Sequence, residues 1–177
     1  RYEFLISQVT LSKVFDFSFT DKKLTTYVAG IMNGAAQETP QASNQLANLG
    51  YYVGISMGKI KKKGDWKFDV NYQWMQAQTM TDFDSSGVGK GKSKEGFYNL
   101  TNDKGEQIKN AEGDPVACSR YEAVGKGNFR GIRAEFLYAL YENLTVYNSY
   151  QAGKILDNKI GPRMDYNQFE IEMIYSF

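Results

Sequence analysis

Residues 86–93 read SGVGKGKS, close to a phosphate-binding P-loop, with Ser86 standing where the first glycine belongs. A P-loop holds phosphate because backbone N–H groups and the positive end of the following helix converge on it. It needs a buried parallel strand before it and a helix after it. Here an alternating pattern precedes, and Lys94-Glu95-Gly96-Phe97-Tyr98 starts no helix. Nucleotide chemistry is not expected. Just upstream, Asp82 and Asp84, with Gly87 at the sixth position, resemble the opening of a calcium loop. The bidentate carboxylate due at the twelfth position is missing, since Ser93 stands there. Asp82 and Asp84 are a loose calcium candidate beside the plainer reading of a solvated Asp, Ser and Gly loop. Cys118 is the only cysteine, so it makes no intrachain disulfide and reads as a free thiol in a polar loop. There is no histidine, which removes Ser-His-Asp triads, Cys-His dyads and the usual zinc sites. No enzyme, no cofactor and no metal site is expected. Asn99 and Asn143 open N-glycosylation sequons, the first in the long loop and the second in a tight turn. Lys61, Lys62 and Lys63 read as a solvated turn, with anionic headgroups or a partner as the alternative.

The elements behind these residues follow from composition and period. The chain has 177 residues, 42% hydrophobic, 15% aromatic and 23% charged, which fits one domain and is too aromatic for disorder. A mean hydropathy of -0.51, with no long uncharged apolar run, excludes membrane-spanning helices. A net charge of +1 leaves no electrostatic footprint for nucleic acid. The opening Arg1-Tyr2-Glu3, without Met or a signal peptide, reads as a processed product or a fragment.

Period two runs through most of the chain. Trp66, Phe68, Val70, Tyr72 and Trp74 alternate with Lys67, Asp69, Asn71 and Gln73. Phe169, Ile171, Met173, Tyr175 and Phe177 alternate with Gln168, Glu170, Glu172 and Ser176. Ile132, Ala134, Phe136, Tyr138 and Leu140 interleave with Arg133 and Glu135. Leu49, Tyr51, Val53, Ile55 and Met57 interleave with Gly50, Gly54 and Gly58, and Phe15, Phe17 and Phe19 with Asp16 and Ser18. Side chains of a strand point alternately to its two faces, so each segment predicts a strand with one apolar and one polar side. Strands are expected at 11–20, 23–33, 47–61, 65–81, 128–141, 144–156 and 165–177. Residues 1–10 form either an eighth strand or the upper part of the first. In 23–33, Tyr27-Ala29-Ile31 and Val28-Gly30-Met32 are equally plausible apolar faces.

Short connections at 21–23, 62–65 and 141–144 alternate with longer ones at 33–45, 83–127 and 157–164. That places every tight turn at one end of the strands, the anatomy of a membrane β-barrel. Trp66 and Trp74 lie roughly 26 Å apart along one face. Tilted, this spans roughly 20 Å of depth, close to the apolar band between two aromatic girdles. A soluble β-sandwich explains the alternation but neither the paired aromatic ends nor the one-sided turns.

The end of the chain, Phe169-Glu170-Ile171-Glu172-Met173-Ile174-Tyr175-Ser176-Phe177, resembles the C-terminal assembly signal of bacterial outer-membrane proteins, with Tyr175 and Phe177 as its aromatic positions. Gly64-Asp65-Trp66, Thr81-Asp82-Phe83-Asp84, and the run from Tyr138 to Val146 with its Y-A-L-x-x-N-L-T form resemble a family of bacterial outer-membrane porins over roughly residues 45–177. The insertion at 94–126 departs from that family's shorter loop.

The resemblance implies a passive diffusion channel for small hydrophilic solutes and ions, a bacterial outer-membrane location with a periplasmic C-terminus, and contact with outer-membrane lipid and the barrel assembly machinery. A homotrimer is left open. Residues 1–177 are expected to be the C-terminal part of one antiparallel up-and-down transmembrane β-barrel domain, all-β, of about 14–18 strands in total, with 83–127 as a long extracellular loop. The pore-lining candidates are Asp16, Lys67, Asp69, Asn71, Gln73, Arg133, Glu135, Gln168, Glu170 and Glu172. The lipid-facing candidates are Trp66, Phe68, Val70, Tyr72, Trp74, Phe136, Phe169, Ile171, Met173 and Tyr175. Gly50, Gly54 and Gly58 are expected to keep one inner face open. The surplus of carboxylates among the pore candidates predicts weak cation selectivity. The alternatives are a small non-conducting anchor or adhesin barrel and a soluble ligand-binding β-barrel.

Overall fold

The structure, a computed structural model, describes residues 3–18, 20–38, 46–80, 97–99, 104, 106–119, 127–157 and 165–176. Phe19, Asp82, Asp84, the 86–93 segment and Phe177 lie outside the described residues. The strands are β1 (Ile6–Phe15), β2 (Leu24–Asn33), β3 (Leu49–Gly58), β4 (Trp66–Met75), β5 (Phe97–Asn99), β6 (Ala117–Ser119), β7 (Phe129–Tyr141), β8 (Leu144–Ile155) and β9 (Asp165–Tyr175). Seven of them form one antiparallel up-and-down sheet in the order β1-β2-β3-β4-β7-β8-β9. The pair β5-β6 makes a small separate ribbon inside the long connection, with Cys118 opposite Tyr98.

The sheet is all-β, antiparallel and up-and-down as expected, and these seven strands do not close into a barrel. In an up-and-down order of seven, the first and last strands run the same way. Joining β1 to β9 would need a parallel pair, whereas antiparallel closure needs an even number. Among the described residues, each of these two strands has one neighbour in the sheet.

The first strand also differs from expectation. It runs over Ile6–Phe15 rather than 11–20, so much of the 1–10 segment is its upper part, and the connection to β2 spans 16–23 rather than the short 21–23 expected. β3 stops at Gly58 because that residue has φ +86, a left-handed conformation that glycine adopts without a Cβ penalty. A Cβ there would also collide with the Trp66 carbonyl. The turn that follows is held by Asp65, whose Oδ2 accepts the N–H groups of Lys61 (2.9 Å) and Lys62 (3.0 Å). Gly64 N–H donates to Ala139 O at 2.8 Å, and Ala139 N–H to Asp65 O at 2.9 Å, which docks this turn onto β7.

Register settles which residues share a face. Phe68 pairs with Met57 and Phe136, and Val70 with Ile55 and Ala134. Asp69 pairs with Ser56 and Glu135, and Asn71 with Gly54 and Arg133. Carried across the sheet, Val28, Gly30 and Met32 join the apolar face, and Tyr27, Ala29 and Ile31 the polar one. This resolves the ambiguity of β2 by pairing, which neither alternation could do alone.

Candidate functional site

The two faces differ in chemistry. On the apolar face, Val9, Leu11, Val28, Val53, Ile55, Val70, Ile132, Phe136, Ile171 and Met173 are all exposed. Its charged members, Lys13, Arg130, Lys154 and Asp165, sit toward strand ends. All ten lipid-facing candidates lie on this one face. Trp66 stacks on Phe68 with centroids 6.0 Å apart, and Tyr51 on Trp74 at 5.6 Å, which places one aromatic pair toward each end of β4.

The polar face carries a hydrogen-bonded ladder. Gln73 Nε2 donates to Asn71 Oδ1 at 2.9 Å, and Asn71 Nδ2 donates to Asp69 Oδ1 at 3.0 Å. From two strands away the Tyr27 hydroxyl donates to the same Asp69 oxygen at 2.7 Å. Beside it, Arg133 Nη2 lies 2.7 Å from Glu135 Oε1, and the Tyr147 hydroxyl donates to that oxygen at 2.6 Å. Asp69 and Glu135 face each other directly in register. Like charges so placed repel, and each carboxylate has its own donors, Tyr27 and Asn71 for Asp69 and Arg133 and Tyr147 for Glu135.

Lys67, Asp69, Asn71, Gln73, Arg133, Glu135, Gln168, Glu170 and Glu172 share this polar face. Asp16 does not belong to it as expected. It follows the end of β1, in the 16–23 connection, with Oδ1 3.2 Å from Lys23 Nζ. The reason is that β1 ends at Phe15.

The glycines of β3 also depart from expectation. Gly54 lies opposite Tyr27, and the Tyr27 ring crosses it to reach Asp69. A Cβ on Gly54 would stand 2.5 Å from Tyr27 Cζ and 2.8 Å from Asn71 Cβ. At Gly50 the space is filled by Met75 Sδ and Thr79 Cγ2. Two of these glycines therefore admit side chains from neighbouring segments rather than hold open space.

A further feature had no reading in the sequence. β4 ends at Met75, short of the expected 81, and residues 76–80 fold back over the long-connection end of the polar face. Gln78 and Thr79 are fully buried. Gln78 N–H donates to Ala47 O at 2.7 Å, its carbonyl accepts Asn33 Nδ2 at 2.9 Å, and Thr79 Oγ1 donates to Leu49 O at 2.7 Å. Met75, Met80 and Phe129 form the apolar cluster beneath, packed against Ile31 and Tyr52. Gln73, just before this segment, is also buried. Tyr27, Tyr147 and Ser149 also belong to the polar face and were missed, because a tyrosine in an alternating strand reads as an aromatic of the apolar side. The signal that could have found Tyr27 is a glycine at a matching position of the next strand.

Among the described residues, no group of three or more Cys, Asp or Glu is arranged to hold a metal. No family model, no curated protein and no solved structure matches the chain.

Proposed function

We propose that this sheet is part of the wall of a bacterial outer-membrane β-barrel, of about 14–18 strands in all, and that its polar face lines a passive channel for small hydrophilic solutes and ions. The observation that carries the reading is the pair of opposed faces. One exposes apolar side chains with no charge at mid-strand, and the other gathers the carboxylates, amides and arginine. A soluble protein rarely leaves so large an apolar face uncovered, whereas a bilayer requires one. The shorter connections, at 16–23, 59–65 and 142–143, share one end of the sheet, and with the long edges of β1 and β9 they support a larger barrel, since exposed edges otherwise invite aggregation. In this reading the short turns and the C-terminus are periplasmic, and the partners are outer-membrane lipid, the assembly machinery and diffusing solutes.

On the polar face Asp69, Glu135, Glu170 and Glu172 stand against Lys67 and Arg133, and Arg133 is already paired with Glu135. Carboxylates in a low-dielectric channel raise the local cation concentration. The channel is therefore weakly cation-selective, and the preference fades as the Debye length falls from ~10 Å at 0.1 M salt to ~3 Å at 1 M. The test is the reversal potential across a planar bilayer under a KCl gradient. Wild type should favour cations, and Glu170→Gln/Glu172→Gln should shift the potential toward anions. Anion preference in wild type, or no shift in the variant, would remove these carboxylates from the channel wall. The buried 76–80 segment favours a second reading, a non-conducting anchor barrel. In that case the same bilayer would show folded protein and no steps of current.

A further inference from the structure

The short-turn end of the apolar face carries an uneven distribution of charge. Lys59, Lys61, Lys62 and Lys63 are exposed on the 59–65 turn. Of the nearby acids, Asp16 is taken by Lys23, and Asp65 is engaged by the N–H groups of Lys61 and Lys62 with Lys22 Nζ 4.0 Å away. Asp21 and Glu142 remain exposed. These contacts, with the docking of Gly64 on Ala139, join the 16–23 and 59–65 connections and the end of β7 into one rim.

Along this rim the lysines lie on aromatic rings. Lys22 Nζ is 4.8 Å from the Trp66 ring, Lys63 Nζ 4.8 Å from Tyr141, and Lys13 Nζ 5.1 Å from Phe15. Lys13 is the informative member. It belongs to the apolar face, and its ammonium reaches back to Phe15 at the strand end, as a long cationic side chain does when its stem lies in hydrocarbon and its head seeks an interface. The same residue is a wall of a trough of about 640 Å³ on the apolar face, lined by Leu11, Val28, Val53, Val70 and Ile132. A cationic rim thus opens directly onto an apolar trough.

We propose that this end of the sheet binds an anionic glycerophospholipid, with the headgroup phosphate on the lysine rim and an acyl chain along the trough. The inference rests on the membrane reading above and adds a lipid class and a place to it. Basic residues near a bilayer attract anionic lipid, each with an effect of roughly fivefold in local concentration when fully engaged. Trp66 at the rim and Trp74 at the other end of β4 provide a built-in comparison.

The experiment uses the full chain in vesicles of phosphatidylcholine and phosphatidylglycerol, with either lipid brominated high on its acyl chain. Trp74→Phe isolates Trp66, and Trp66→Phe isolates Trp74. Strand circular dichroism and protease protection in pure phosphatidylcholine report insertion separately. The expected result is that brominated phosphatidylglycerol quenches Trp66 several-fold more than its bulk fraction predicts, and Trp74 no more than that fraction predicts. Lys13→Gln/Lys59→Gln/Lys63→Gln should return Trp66 to parity while insertion is unchanged. Insertion with equal quenching by both lipids, or an excess that survives the triple substitution, overturns the lipid site and leaves the membrane reading standing. Failure to insert into either vesicle overturns both.

Discussion

Replacing Gly54 by alanine tests the packing of the polar face directly. The added Cβ would lie 2.5 Å from Tyr27 Cζ and its hydroxyl oxygen and 2.8 Å from Asn71 Cβ, well inside van der Waals contact. The ring end of Tyr27 can swing away. Asn71 Cβ is attached to the β4 backbone and cannot. Overpacking of this kind costs about 1–3 kcal/mol. Displacing the ring also breaks the 2.7 Å bond to Asp69, and a bond to a charged acceptor is worth about 1.5–3 kcal/mol. Since part of the ring's movement relieves the clash, the two costs overlap, and a net loss of about 2–4 kcal/mol is expected. The assay is equilibrium urea unfolding of the full chain in detergent micelles, followed by tryptophan fluorescence, for Gly54→Ala, Tyr27→Ala and the double variant. Tyr27→Ala removes the obstructing ring, so the double variant should be much less destabilised than the sum of the single ones. A neutral Gly54→Ala, or strict additivity, would refute the argument. Such a result would mean that Gly54 faces open space.

Further outcomes follow from the faces and turns. Val70→Arg puts a charge on the apolar face near mid-strand and should cost about 2–4 kcal/mol in a bilayer, whereas Ser56→Arg, opposite Asp69 on the polar face, should be tolerated. Equal losses in a vesicle-refolding titration would contradict the assignment of faces. At the 59–65 turn, the N–H groups of Lys62 and Lys61 hold the Asp65 carboxyl below its ordinary range. A lowered carboxylate contributes stability above its unfolded value of about 3.9, and that stability is lost as pH falls through the folded value. Wild type should therefore lose stability below about pH 4 more steeply than Asp65→Asn, as read by thermal melts over an acid series. Parallel pH profiles would show that the turn draws nothing from the ionised form.

Much of the architecture was legible because β-pleating is local. Side chains alternate across a strand whatever its neighbours are, so β4, β7 and β9 declared an apolar and a polar side from residue order alone, and the placement of the shorter connections at one end followed from the spacing of the strands. β2 resisted, since both of its alternations are apolar enough to be buried. Only pairing of Val28 with Leu11 and Val53 assigned its face. The partnership of Tyr27 with Gly54 and Asp69 likewise joins residues distant in sequence, and a glycine on its own does not say whether its space is empty or filled. The inward turn of 76–80 was invisible for a related reason. Gln76, Gln78 and Thr79 are polar and read as the end of a strand, yet the backbone of Ala47 and Leu49 and the side-chain amide of Asn33 bond this segment, which lets Gln78 and Thr79 be buried. Residue order thus determined which side of each strand is apolar, and the tertiary structure decided what occupies the polar side, because that depends on which strands meet and in what register.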